Sequence, residues 1–195
     1  GIEGPACGYL GTIQPRKNLG LLVRSFLRAA GSNDWRLVIA GRLRPGQDTS
    51  FLGDDRRVVY VGALPDEEIP AFLGSLRCMA SPSLYEGFGL PAGEAMACGA
   101  LVVASDTAPV HDAIRHGDNG LLVDFFDGQA LADRLSAVLA DPAAFAPLRQ
   151  RARRSVVEAF DLRRVCLPRQ LALVDQLLQG RDPRELDPAA GDTPA

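Results

Sequence analysis

Short runs of contiguous apolar residues alternate along this chain with longer stretches whose apolar residues recur every three or four positions. Residues 6–13 read as a strand, and Asn18 then stands at a helix-capping position. Leu19, Leu22, Val23, Phe26 and Leu27 follow on one helical face, and Gly31 closes it. Residues 36–40 and 58–61 read as the second and third strands, separated by a polar loop with Pro45, Gly46 and Asp48. The pattern continues with a helix over 66–76, a strand over 78–81, a helix over 91–98 and a strand over 101–104. A short helix over 110–115 and a last strand over 121–123 complete the alternation. Uninterrupted apolar strands separated by helices predict a parallel sheet covered on both faces. The fold class is therefore α/β, a Rossmann-like doubly wound sheet. Helices over 129–139, 143–159 and 162–178 extend it at the C-terminus, the last interrupted by Pro168.

At 195 residues the chain fits one domain, assigned to 1–179. From Gly180 the composition shifts to Gly, Pro, Asp and Arg, and 180–195 reads as a disordered tail. The net charge of −3, from 21 basic and 24 acidic side chains, gives no bulk attraction for nucleic acid. Cys7, Cys78, Cys98 and Cys166 are widely spaced, and the last three sit in apolar runs. They read as reduced, buried thiols in a cytoplasmic protein rather than a zinc site or disulfide framework. No run approaches the ~20 apolar residues that span a bilayer. The chain opens without methionine and reaches a strand at once, so it reads as part of a longer one.

Ligands of open parallel sheets bind outside the carboxyl ends of the strands. Two loops at such ends carry chemistry. In Gly11-Thr12-Ile13-Gln14-Pro15-Arg16-Lys17-Asn18, two adjacent cations precede a helix N-terminus, a pairing that suits a phosphate-bearing ligand. The alternative is a solvated basic pair in a turn. In the second loop, Glu86 follows the fourth strand and Glu94 lies eight positions on, inside the next helix. Gly87 and Gly89 let backbone approach a ligand closely. At that spacing the two acids would reach opposite ends of an extended ligand rather than share a proton. The alternative is an ordinary loop with surface acids.

Glu86-Gly87-Phe88-Gly89 through Glu94-Ala95-Met96-Ala97, with Pro15-Arg16-Lys17-Asn18 upstream, resembles the group 1 (family 4) retaining glycosyltransferases over residues 9–160. Those enzymes have the GT-B fold, two Rossmann-like halves facing across a cleft, and this chain is similar to the C-terminal, nucleotide-sugar-binding half. The resemblance implies that Arg16 and Lys17 hold the donor diphosphate. It implies that Glu86, with Gly87, Phe88, Gly89 and Leu90, binds the transferred sugar. Glu94 would accept hydrogen bonds from the ribose, a role for which a carboxylate facing a vicinal diol is suited. The base would lie near Leu64. With two cations on the diphosphate and no Asp-x-Asp motif, transfer is expected to need no metal or other cofactor. Retention of anomeric configuration follows from the resemblance alone.

The chain departs from the family after Ser105, where a Gly-Gly turn and glutamate are usual. Here Asp106-Thr107-Ala108-Pro109-Val110-His111-Asp112 stands instead, with Asp112 at the glutamate position. His111 reads as structural, with ligand or base as its alternative. Arg149, Arg151, Arg153 and Arg154 read as a solvated helix face. The expected partners are a nucleotide sugar and an N-terminal acceptor domain of the same protein, on which the final helices would pack. Nucleic acid is excluded, and peripheral attachment at the cytoplasmic membrane face is left to the whole protein. This half alone is expected to bind donor without transferring it. Two rival readings are a non-catalytic nucleotide or phosphosugar module and a GT-B sugar epimerase; the Glu86/Glu94 pair with its Gly-Phe-Gly turn favours the transferase over the epimerase.

Overall fold

The computed structural model describes residues 4–86, 89–124 and 126–181. The chain divides into two units at Val156/Val157. In the first, six strands form one parallel sheet: β1 (Ala6–Leu10), β2 (Arg36–Ala40), β3 (Val58–Gly62), β4 (Cys78–Ser81), β5 (Leu101–Ser105) and β6 (Leu121–Val123), in the order β3-β2-β1-β4-β5-β6. The helices are α1 (Leu19–Ala30), α2 (Ile69–Ser75), α3 (Leu90–Ala97), the one-turn α4 (Ala108–His111), α5 (Gly128–Ala140) and α6 (Ala146–Phe160). This is the predicted Rossmann-like doubly wound fold.

Strand alternation divides the core between the two faces. Cys7, Tyr9, Leu37, Ile39, Cys78, Ala80, Leu101 and Val103 pack with Leu22 and Phe26 of α1 and Leu135 and Val138 of α5. Ala6, Val38, Met79, Val102 and Ala104 pack on the other face with Leu73 of α2, Ala95 and Met96 of α3, and Ala152 of α6. Both faces are thus buried at the central strands, so no polar position interrupts them. β3 lies at the sheet edge, and its outward Val59 and Val61 are exposed.

The chain winds outward from β1 through β2 to β3, then returns to place β4 on the other side of β1. The connections after β1 and β4 therefore leave in opposite directions and open a crevice between them, the switch point where such sheets bind ligands. Register places Cys7 beside Cys78 and Gly8 beside Met79 across this junction. β1 ends at Leu10 rather than at 13: Gly11 turns to φ 145°, although its amide still donates to Ala40 O and that of Ile13 to Arg42 O, both at 3.0 Å. A Cβ on Gly41 would lie 1.8 Å from the Gly11 carbonyl oxygen. Only glycine admits that approach, which seats the first loop on the end of β2.

α2 starts at Ile69 rather than at 66, since residues 66–68 form a tighter turn in which Ile69 N donates to Asp66 O. α4 ends at His111 rather than near 115. Buried Asn119 accepts the Arg115 amide at 2.7 Å and donates to Ala113 O and Ser155 Oγ, both at 3.0 Å. Cys7 and Cys78 are buried as free thiols, and their mutual hydrogen bond and burial push the Cys7 thiol well up. Cys98 and Cys166 are free and only half-buried, a correction to their reading as core residues.

In the second unit, Asp161 accepts from the amides of Arg163 and Arg164 and opens a π-helical turn over Leu162–Cys166. α7 (Leu167–Leu178) follows, with Pro168 in its first turn, where a missing N–H is tolerated. Its Leu167, Leu171, Val174 and Leu178 are exposed and share one helical face. The tail expected beyond Gly180 lies outside the described residues from 182 onward.

Candidate functional site

The first loop turns through a single 3-10 turn at Pro15–Lys17 and enters α1 through Asn18, which adopts the left-handed conformation (φ 55°, ψ 35°). Asparagine tolerates that region better than most residues. Asn18 caps α1 with its carbonyl, which accepts from the Leu21 and Leu22 amides. This sharp reversal aims two consecutive side chains, Arg16 and Lys17, at the β4 loop.

There they are tied to residues 69 positions away. The Leu84 amide donates to Arg16 O at 2.8 Å, and Arg16 Nη1 donates to Tyr85 O at 2.9 Å. Lys17 Nζ is bonded directly to Glu86 Oε1, and its side chain is 9% exposed against 12% for Glu86. Arg16 Nη1 lies 3.7 Å from Glu86 Oε2 but remains 45% exposed. Ser83, fully buried, donates to Glu86 Oε1 at 2.6 Å. Beneath them, the Tyr9 hydroxyl donates to Thr12 O at 3.2 Å. Burial first, and then the negative charge of Glu86, hold its pKa above the ordinary tyrosine value, so it stays protonated. The structure thus joins Arg16, Lys17 and Glu86 at the switch point, as a buried cation–carboxylate pair flanked by an accessible guanidinium.

Gly87 and Phe88 lie outside the described residues. Gly89 takes the left-handed conformation (φ 71°) and its carbonyl accepts from Ala92 and Gly93, starting α3. Leu90, the first residue of α3, is exposed. Glu94 stands one turn further along, also exposed. Partial desolvation, then the charge of Asp66, raise its carboxyl pKa. Asp66 belongs to the loop after β3, so Glu94 lies within electrostatic reach of the loop that carries Leu64. The sheet edge therefore presents, in spatial order, the cations and Glu86 at the switch point, then Glu94 and the β3 loop.

The arginine run on α6 is solvated only in part: Arg153 and Arg154 are exposed, yet three of the four arginines are engaged by backbone. Arg153 Nε donates to Ala97 O at 2.9 Å, Arg149 Nε to Gly99 O at 2.6 Å and Arg151 Nε to Asp118 O at 2.8 Å. Two of these acceptors are carbonyls at the C-terminal end of α3, which cations satisfy and stabilise. Arg149 and Arg153 clasp the end of the helix that carries Glu94, Arg151 pairs also with the Asp118 carboxylate at 2.8 Å, and Arg154 is exposed. Sequence periodicity puts Arg149 and Arg153 on one face of α6 and Arg151 on another, but gives no sign of the carbonyls they meet. His111 contacts the Asp106 carboxylate, and both are about half-exposed on the loop after β5. Asp112 is exposed beside them. The residues that sequence reasoning missed are Ser83, Tyr9 and Asn119, since a lone serine, tyrosine or asparagine carries no spacing signal.

A cavity of about 470 Å³ lies at the amino ends of β2 and β3, lined by Ser32, Asn33, Asp34, Asp54, Asp55, Arg56 and Arg57. Its chemistry disfavours an anionic ligand. Arg57 is engaged by Asp55 at 2.8 Å, and Asp55 is held down to a pKa of about 2 by that pairing. Asp34 and Asp54 add further negative charge. The switch-point edge is the better site for a phosphate, because its cations converge there.

A doubly wound parallel sheet with two cations and a carboxylate joined at its switch point defines the class of the domain. The chain belongs to the glycosyl transferases group 1 family, whose pattern it matches over residues 3–156. It is 33% identical over 140 residues to O-antigen chain mannosyltransferase B of Escherichia coli, covering 68% of this chain and 36% of that protein. It superposes on sucrose-phosphate synthase from Thermosynechococcus elongatus with a TM-score of 0.81 and 30% identity, over 92% of this chain and 47% of that one. The fold also matches Anabaena Alr3699/HepE, solved in complex with UDP-glucose, with a TM-score of 0.77 and 22% identity over 91% of this chain and 49% of that one. The chain thus spans about a third to a half of the length of the mannosyltransferases it matches. Among the described residues, no helix is long and apolar enough to cross a membrane.

Proposed function

We propose that this chain is the donor half of a GT-B glycosyltransferase, binding a nucleoside-diphosphate sugar for hexosyl transfer with retention. The observation that carries the reading is the convergence of Arg16 and Lys17 on Glu86 across the switch point. Arg16 and Lys17 would receive the diphosphate, Glu86 with residues 87–90 the sugar, Glu94 the ribose, and the β3 loop near Leu64 the base. When the glycosidic bond breaks, negative charge gathers on the departing nucleoside diphosphate. Two fixed cations in a partly dehydrated crevice stabilise that charge without a metal or other cofactor. The UDP-glucose bound to a protein of this fold, and the mannosyl transfer named for a relative, support a sugar nucleotide as the ligand class.

Residues 1–179 would form this donor domain and 180–195 a tail. The acceptor would be held by an N-terminal half of the same protein, at a cytoplasmic location. Thermal denaturation in chelator, with UDP, GDP, ADP and their sugar conjugates, tests the reading. A ligand at 100-fold its dissociation constant adds about 2.7 kcal/mol. That corresponds to a rise of roughly 5–10 °C for a chain of this size. A rise that needs added magnesium would contradict metal independence, and no rise with any of these ligands would contradict the site.

A further inference from the structure

The two oxygens of Glu86 have different surroundings. Oε1 receives Ser83 Oγ at 2.6 Å together with Lys17 Nζ. Oε2 has Arg16 Nη1 at 3.7 Å, beyond hydrogen-bond range. A terminal carboxylate torsion is soft, so the plane of a carboxylate left to itself swings through a broad arc. Lys17 cannot prevent this, because an ammonium is a rotatable point charge that either oxygen satisfies. A hydroxyl is directional. Ser83 is 1% exposed and sits in a backbone stretch anchored by the Leu84–Arg16 bond, so its donor is fixed in place. Buried without a partner, that hydroxyl would be costly, and the carboxylate is the partner it has.

We propose that Ser83 is a positioning residue. By holding Oε1 it leaves Oε2 as the acceptor that meets a hydroxyl of the donor's sugar. This rests on the reading of the crevice as a sugar-nucleotide site and names the group that orients its sugar-binding carboxylate. Ser83 touches neither ligand nor reacting atoms, so its effect is confined to the sugar part of the affinity.

The test is calorimetric titration of the whole 195-residue chain with two pairs of probes, UDP against UDP-glucose and GDP against GDP-mannose. The quantity scored is the ratio of the dissociation constants of bare diphosphate and sugar nucleotide. Ser83→Ala should reduce that ratio roughly tenfold, the worth of a hydrogen bond to a charged group, while bare diphosphate affinity stays within about twofold. Ser83→Cys, close in volume but a weaker donor, should lose about threefold, and it carries the test if the alanine variant does not fold. In a Glu86→Ala background, Ser83→Ala should change the ratio no further. An unchanged ratio in Ser83→Ala, equal loss for both ligands, or an additive effect on Glu86→Ala would overturn the proposal. A wild-type chain that binds bare diphosphate but gains nothing from the sugar would overturn the assignment of Glu86 and this inference with it. A chain that binds none of the four probes would overturn the site itself.

Discussion

Alanine at Lys17 should weaken binding of a bare nucleoside diphosphate by about 100-fold, the size of effect seen when one partner of a buried charged pair is truncated. The loss has two sources. One positive charge at the crevice disappears, and Glu86 keeps its own charge in a nearly dry setting with only Ser83 and the more distant Arg16 to answer it. Breaking a fully buried pair costs about 3–5 kcal/mol of stability, and the Arg16 guanidinium at 3.7 Å should hold the loss below that range. Arg16→Ala should cost less on both counts, because its side chain is 45% exposed and screened by water. Titration of both variants with UDP and GDP, alongside their melting curves, measures this. Equal, small losses would mean that Lys17 serves only to pack against Glu86.

The second large effect concerns transfer. This chain alone should bind donor yet form no glycoside, whereas the same residues joined to an acceptor half should turn over. Every donor-contacting group assigned above lies along one sheet edge between Arg16 and Glu94. Orienting two reactants contributes about 7–11 kcal/mol of a barrier, so an open half-cleft should be at least ~10⁵-fold slower than the whole protein. Water would reach the anomeric carbon freely in the half-cleft, so slow donor hydrolysis is the most it should show. Product formation from a labelled sugar nucleotide with a broad acceptor panel compares the two. Robust transfer by this chain alone would place the acceptor site within these 195 residues.

The strands were legible because the sheet is buried on both faces, which demands contiguous apolar runs such as Leu101–Ser105. The order of those strands, with β1 and β4 adjacent, follows from the doubly wound fold class and places Arg16, Lys17 and Glu86 at one crevice. Their direct contact did not follow. It depends on the left-handed turn at Asn18 and on the close approach of Gly11 to Gly41, which are backbone facts with no periodic signature. Element ends failed for related reasons. The backbone turns at Gly11 and ends β1, and the Asn119 side chain takes the Arg115 amide beyond the short helix α4. The arginine run was only half legible, since Arg149 and Arg153 meet backbone carbonyls of Gly99 and Ala97, which any sequence would offer, whereas Arg151 also pairs with the Asp118 carboxylate.

The diphosphate is expected in the switch-point crevice, not in the cavity at the amino ends of β2 and β3. Mapping backbone amide shifts of the isotope-labelled chain during titration with UDP-glucose or GDP-mannose tests it most directly. The account predicts that the perturbed amides cluster at residues 14–18 and 83–86, with a second group at 63–66 and 92–94 that appears with the bare diphosphates as well. Perturbations gathered instead at residues 32–34 and 54–57, with the Arg16–Glu86 loops silent, would contradict it.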